Sequence, residues 1–275
     1  MSLMLKLSAI ALLGSSLLAA NNSEVETFLK KQIGANPSIK ALDVKVVDKK
    51  VLKSPKGWDA MIVNIKATVK QGKNDRKLSQ RMVYFVNGDY LTSDLTNMKT
   101  GERLKNSISP EFKAEFYKKS NLIYGNENAE HKIAIFSDPL CPFCKRYVPT
   151  ALKYMKAHPK KFAVYFYHLP LKHIHPSSPI LVKASIYAEL MGKKDVVSKL
   201  YSLNADYKIS KKDALKEFNK VLKMNITKKD LNSPEVLKIY KESEKISDEM
   251  MVRGTPTVFF DGKVDKTKKK YEKAK

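Results

Sequence analysis

Two cysteines constrain this chain more than any other feature. They are the only ones in 275 residues, and they stand in Phe136-Ser-Asp-Pro-Leu-Cys141-Pro-Phe-Cys144-Lys-Arg-Tyr147. The run Lys132-Ile-Ala-Ile-Phe136 before them reads as a buried strand, and Lys145 to about Ala157 reads as a helix. A strand that feeds a C-x-x-C into a helix start is an arrangement suited to thiol chemistry. Cys141 would sit at the helix N-terminus, where unpaired N–H groups and the positive end of the dipole stabilise an anion. That favours the thiolate and makes Cys141 the attacking nucleophile. Cys144, one turn on, would be screened from solvent and would resolve a mixed disulfide.

Two other uses of such a pair fit less well. Half of a zinc site would need further ligands from the five histidines, His131, His158, His168, His173 and His175. His168 and His173 have an H-x4-H spacing, but they flank Pro170 after an apparent strand and lie farther from Cys144 than the usual finger interval. A structural disulfide across so short a loop would constrain the unfolded chain little. The redox reading therefore leads, with no metal and no cofactor expected.

Residues 1–20 read as a secretory signal peptide. Lys6 supplies the positive start, Leu7–Leu13 the apolar stretch, and small residues lead to Ala19-Ala20, near which cleavage is expected. The apolar run is too short for a membrane anchor and is broken by Gly14-Ser-Ser16. Export would place the two cysteines in an oxidising compartment, the periplasm. With no other cysteine, the fold must hold with the pair either oxidised or reduced. The net charge of +24 comes from 52 Lys and Arg against 28 Asp and Glu. These lysines are spread along the helices, and only the tail Lys266–Lys275 is a cluster. No zinc-finger, RNP-type or helix-turn-helix pattern is present, so nucleic acid is not an expected partner and the charge reads as a solvated surface.

Taken in order, Ser23-Glu-Val-Glu26 has the form of a capping box, opening a helix to about Ile33. Strand alternation follows at Ile39–Val47, Val51–Leu52, Trp58–Val69 and Leu78–Val86. Asn87-Gly88 is a hairpin signal, and Asn74-Asp75 near Gly72 marks a second turn. Residues 22–105 thus read as a small α+β unit. Residues 106–130 read as a linker helix, with Ser109 as N-cap and Pro110 at its start. Residues 131–275 read as an α/β domain, with Phe162–Tyr167 as a central strand parallel to the first. A helical insertion spans about 178–250, with helices at 178–191, 194–203, 211–223 and 234–250. Gly254-Thr255-Pro256 then leads into a strand, Thr257–Phe260, and a turn at Asp261-Gly262. Its place downstream of the C-x-x-C predicts a cis Thr255–Pro256 bond beside the cysteines.

At these points the sequence resembles the bacterial periplasmic thiol-disulfide oxidoreductases, most closely the dimeric DsbC/DsbG isomerase group. The resemblance rests on Phe136-x-Asp-Pro-x-Cys141-Pro-Phe-Cys144 followed by Gly254-Thr255-Pro256. It implies an α+β, cystatin-like N-terminal dimerisation domain joined to an α/β thioredoxin-like domain with a helical insertion. It implies that Cys141 attacks and Cys144 resolves, that Thr255 and Pro256 contact substrate, and that Pro142 and Phe143 tune the pair. The implied protein is a homodimeric isomerase or reductase. Its clients are unfolded or wrongly disulfide-bonded exported proteins, and an inner-membrane partner of the DsbD or DsbB kind sets its redox state. A DsbA-like oxidase and a dimeric holdase chaperone with a secondary redox role are the alternatives. Three departures stand out: the Pro-Phe dipeptide, the lack of a second cysteine pair, and a short tail after Gly262. The first leaves the direction of reaction open. Pro142 at a helix start, the positive charges of Lys145 and Arg146, and a Phe143 that offers no hydrogen bond point to a potential between roughly −270 and −120 mV.

Overall fold

The computed structural model describes residues 21–72 and 74–274. The expected signal peptide at residues 1–20 lies outside them. The chain divides into two compact units, one ending at Ile108 and one beginning at Ser109.

In the first unit, helix α1 (Asn22–Gly34) starts two residues earlier than the Ser23/Glu26 box suggests. Asn21 is the N-cap: its side chain accepts from the Glu24 N–H at 2.9 Å, and the Glu24 carboxylate accepts from the Asn21 N–H at 3.0 Å. Glu26 is thereby released to accept the Val46 N–H at 2.9 Å, which ties the helix to the sheet. Val25 and Leu29, four apart on one face, bury against Val44, Val46, Met61 and Val63. The sheet is a meander of β1 (Ile39–Val51), β2 (Asp59–Gln71), β3 (Asn74–Asn87) and β4 (Tyr90–Thr92), paired in that order. The break expected between residues 47 and 51 does not occur. A register shift between Val46 and Asp48 absorbs one extra residue, and β1 runs on through it. Gly88, at φ +52°, opens the two-residue turn joining Asn87 to Tyr90.

The second unit begins with the segment read as a linker helix, and here the expectation fails. Residues 110–121 hold only short 3₁₀ turns at Ala114–Phe116 and Lys119–Asn121. The cause lies in where the backbone and rings go. The Phe112 N–H donates to the Gly262 carbonyl at 2.7 Å, and the Tyr117 hydroxyl accepts the Gly262 N–H at 3.0 Å. Phe112 packs edge-on against Phe136, Tyr117 and Tyr167. This extended strap covers one face of the second sheet, and a helix could not make those bonds.

That sheet contains β5 (Leu122–Tyr124), β6 (His131–Ser137), β7 (Phe162–His168), β8 (Thr257–Phe260) and β9 (Lys263–Val264) in the order β5-β7-β6-β8-β9. β6 and β7 are parallel and β8 is antiparallel to β6. The parallel pair is joined through α2 (Pro142–Lys156), as the strand–helix–strand reading requires. Both faces of β6 are buried, as expected of a central strand. Ile133 and Ile135 face a core with Val148, Leu152 and Met155 of α2, while Ala134 and Phe136 face the strap. The insertion supplies α3 (Ser178–Leu190), α4 (Val196–Leu200), α5 (Lys211–Leu222) and α6 (Pro234–Glu249). Asp261-Gly262 forms the two-residue β8–β9 turn. The chain ends in α7 (Lys270–Lys273), whose Tyr271 is buried against Tyr154 and Tyr147. No described helix is long and apolar enough to cross a membrane.

Gly125 shows how tightly β5 is seated. A Cβ on it would come within 1.9 Å of the Phe162 carbonyl oxygen, and its φ of +76° is one that side chains resist.

His168, at the end of β7, is 6% exposed, and its Nδ1 has no hydrogen-bond partner among the described residues. Burial pushes its pKa down to about 4. The unfolded ring takes up a proton near pH 6.5, the folded one only near pH 4. The stability it contributes is therefore full above about pH 6.5 and is lost as pH falls towards 4, by about 3 kcal/mol in all. Urea titrations between pH 4 and 7 should show His168→Asn losing less stability on acidification than the parent; parallel profiles would exclude this role.

Candidate active site

The C-x-x-C lies where β6 ends. The Cys141 N–H donates to the Asp138 carbonyl at 3.3 Å, a tight turn that brings Cys141 to the N-cap of α2. Pro142 takes the first helical position, where a missing N–H costs nothing. Cys141 caps no N–H with its own side chain, so the sulfur stays at the helix tip. Its Sγ lies 3.6 Å from the Thr255 carbonyl oxygen. The Thr255–Pro256 peptide is cis, as the sequence predicts, and the Thr255 carbonyl faces the Cys141 thiol. The structure thus brings Cys141, Cys144 and Thr255-Pro256 together, from segments more than a hundred residues apart. Pro142 and Phe143 lie beside them at the surface, Phe143 with 64% of its area exposed.

Both thiols are buried, Cys144 more completely. Cys141 is 5% exposed and Cys144 fully enclosed. Burial pushes the Cys144 thiol up to about 12, more than offsetting the Ser137 and Thr255 hydroxyls and the Asp138 backbone that face it. Burial thus favours the neutral thiol at Cys144 over the thiolate.

Behind the pair lies a polar layer that sequence reading missed. Tyr201, from the insertion, donates its hydroxyl to Ser137 Oγ at 2.6 Å, and Ser137 in turn faces Cys144. Asp138 is completely buried. Its carboxylate accepts the Leu140 N–H at 2.7 Å and the Leu171 N–H at 2.6 Å. His175 Nδ1 comes to 3.1 Å of the same carboxylate without the alignment of a hydrogen bond. The one local signal was the polar Ser137-Asp138 pair closing an apolar strand. Nothing near Tyr201 or His175 in the sequence announces them.

Lys145 differs from expectation. Its ammonium donates to the carbonyls of Leu203 and Ala205, so it anchors the insertion instead of adding charge at the thiols. Arg146 stacks over the Phe143 ring at 5.0 Å and remains at the surface. Among the described residues no group of three or more His, Cys, Asp or Glu is placed to hold a metal ion.

Residues 118–275, more than half of the chain, match a family model described as Thioredoxin. The chain belongs to the thioredoxin family. The second unit is thus the α/β thioredoxin-like fold, with C-x-x-C at its helix tip. No curated protein matches the chain significantly. Among solved structures, the chain is similar to a thioredoxin-like oxidoreductase from Silicibacter pomeroyi, at 18% identity over 54% of this chain and 84% of that one, with a TM-score of 0.45. It is also similar to oxidised BdbD from Bacillus subtilis, at 19% identity over 60% and 92%, TM-score 0.46. The catalytic domain of Proteus mirabilis ScsC is similar at 22% identity over 58% and 93%, TM-score 0.41. This thioredoxin-like chain therefore carries an α+β unit ahead of its family domain.

Proposed function

We propose that this thioredoxin-family chain is an exported thiol-disulfide oxidoreductase that acts as an isomerase or reductase on wrongly paired client proteins. One observation carries the reading: a helix-tip thiol, Cys141, stands 3.6 Å from the Thr255 carbonyl and one turn from an enclosed Cys144. The Cys141 thiolate attacks one sulfur of a client disulfide, forming a mixed disulfide and expelling the other client sulfur as thiolate. A second client thiolate then attacks the client sulfur of that mixed disulfide, which reshuffles the client with no net electron transfer. Alternatively Cys144 attacks Cys141 and releases the client as a dithiol. That second route oxidises the pair and requires an inner-membrane dithiol donor of the DsbD kind to restore it. In this reading the protein works in the periplasm as a homodimer, and the N-terminal α+β unit with its open sheet edges supplies the pairing surface.

Refolding of two ribonuclease preparations tests the direction. Rescue of the scrambled, oxidised preparation by reduced protein supports isomerisation. Activity confined to the fully reduced preparation, with the Cys141–Cys144 disulfide as oxidant, would overturn it in favour of an oxidase. Alkylation trapping in intact cells gives a second reading, since an isomerase must be held reduced.

A further inference from the structure

The lysine-rich tail reads in the sequence as a solvated cluster, but the structure folds it against the active site. Asp265, 2% exposed, organises the turn. Its carboxylate accepts the Thr267 hydroxyl at 2.6 Å, the Thr267 N–H at 3.0 Å and the Lys270 N–H at 2.9 Å. Its own N–H donates to the Val258 carbonyl at 2.8 Å, which fixes the turn to the strand that follows Pro256. Tyr271 then inserts beside Tyr147 and Tyr154 of α2. The result is an open pocket of about 520 Å³ between α2, the Thr255-Pro256 loop and the tail. Phe143, Tyr147 and Tyr271 give it aromatic walls, and Arg146, Lys268 and Lys269 give it three cations against one carboxylate, Glu272. Glu272 already accepts the Tyr271 hydroxyl at 3.2 Å.

We infer that this pocket holds an acidic side chain, Asp or Glu, that neighbours the cysteine under attack in the client. The inference rests on the reading of Cys141 as the attacking thiol. Thr255 lines the pocket and its carbonyl lies 3.6 Å from Cys141 Sγ, so a peptide whose sulfur reaches Cys141 passes the pocket mouth. Aromatic walls suit the peptide's apolar stem, and three cations against one carboxylate attract an anion, the more so at low salt. The tail is thus a specificity element, and Lys268 and Lys269 are its charge-reading residues.

The test uses the pre-reduced full chain and three matched disulfide peptides with Glu, Gln or Lys flanking the cysteine. Each single turnover oxidises the Cys141–Cys144 dithiol and releases two peptide thiols. The Glu peptide should react about tenfold faster than the Gln peptide at low salt, with the ratio falling towards one near 0.5 M salt, as roughly 4 Å screening predicts. The double variant Lys268→Glu/Lys269→Glu should lose or invert the ratio, and Lys268→Arg/Lys269→Arg should retain it. Because each ratio is taken within one protein, a general loss of activity cancels. Equal rates for the Glu and Gln peptides in the parent, or a preference that survives charge reversal, would overturn the inference. If no peptide reacts at all, the thiol chemistry itself fails and the subsite falls with it.

Discussion

Replacing Cys144 by serine should turn a turnover catalyst into a covalent trap. The Cys141 sulfur remains at the helix tip and still attacks, but the enclosed thiol that would release the mixed disulfide is gone. Clients are then expected as adducts that survive non-reducing electrophoresis and disappear with dithiothreitol. Cys141→Ser should give neither adducts nor turnover, a loss on the order of a thousandfold or more, as when an enzyme's nucleophile is removed. The asymmetry between the two substitutions is the informative result. Adducts forming through Cys144 in the Cys141→Ser protein would reverse the assigned roles, and their absence from the Cys144→Ser protein would remove Cys144 as the resolver.

The second large effect falls on Asp138, which touches no client. Its buried carboxylate holds two backbone N–H groups, from Leu140 just before the nucleophile and from Leu171 in the loop after β7. Asp138→Ala leaves both donors without an acceptor in a site closed to bulk water, and leaves His175 facing an empty place. The cost is about 3 kcal/mol, the sum of two lost charge-assisted bonds and their desolvation penalties. Asp138→Asn keeps one acceptor oxygen and should recover about half of that loss. Urea denaturation at pH 7 measures both. A loss below about 1 kcal/mol for the alanine variant would mean that other groups satisfy those amides. The Leu140 peptide leads straight into Cys141, so a loosened turn should also slow Cys141 alkylation or speed it, whereas a purely distant effect on stability would leave that rate alone.

What sequence reading could reach follows from how local each signal is. β6, the C-x-x-C, the start of α2 and the Asp261-Gly262 turn each lie within a few residues of their own cause. The helix expected at 194–203 is cut to Val196–Leu200, but the other three helices of the insertion are also legible, because apolar spacing and flanking Gly, Asn and Ser-Pro signals mark them. The strap at residues 110–121 is not. Phe112 and Phe116 have helical spacing, and only a carbonyl and an N–H at Gly262, far along the chain, decide for the extended form. α1 is legible, but its capping register is not, because Asn21/Glu24 and Ser23/Glu26 fit the same pattern. The break expected within β1 is a bulge, which sequence alternation cannot tell from a gap. The polar layer under the thiols depends on a hydroxyl pair 64 positions apart, Ser137 and Tyr201, and no pattern within one segment encodes it.

The unequal exposure of the two sulfurs also bears on damage. Peroxide reaching this site would meet Cys141 before the fully enclosed Cys144, and would make a sulfenic acid there. Cys144, one turn away, would then condense with it, releasing water and leaving a reducible disulfide. A hidden thiol so placed would intercept oxidation one step before it becomes irreversible.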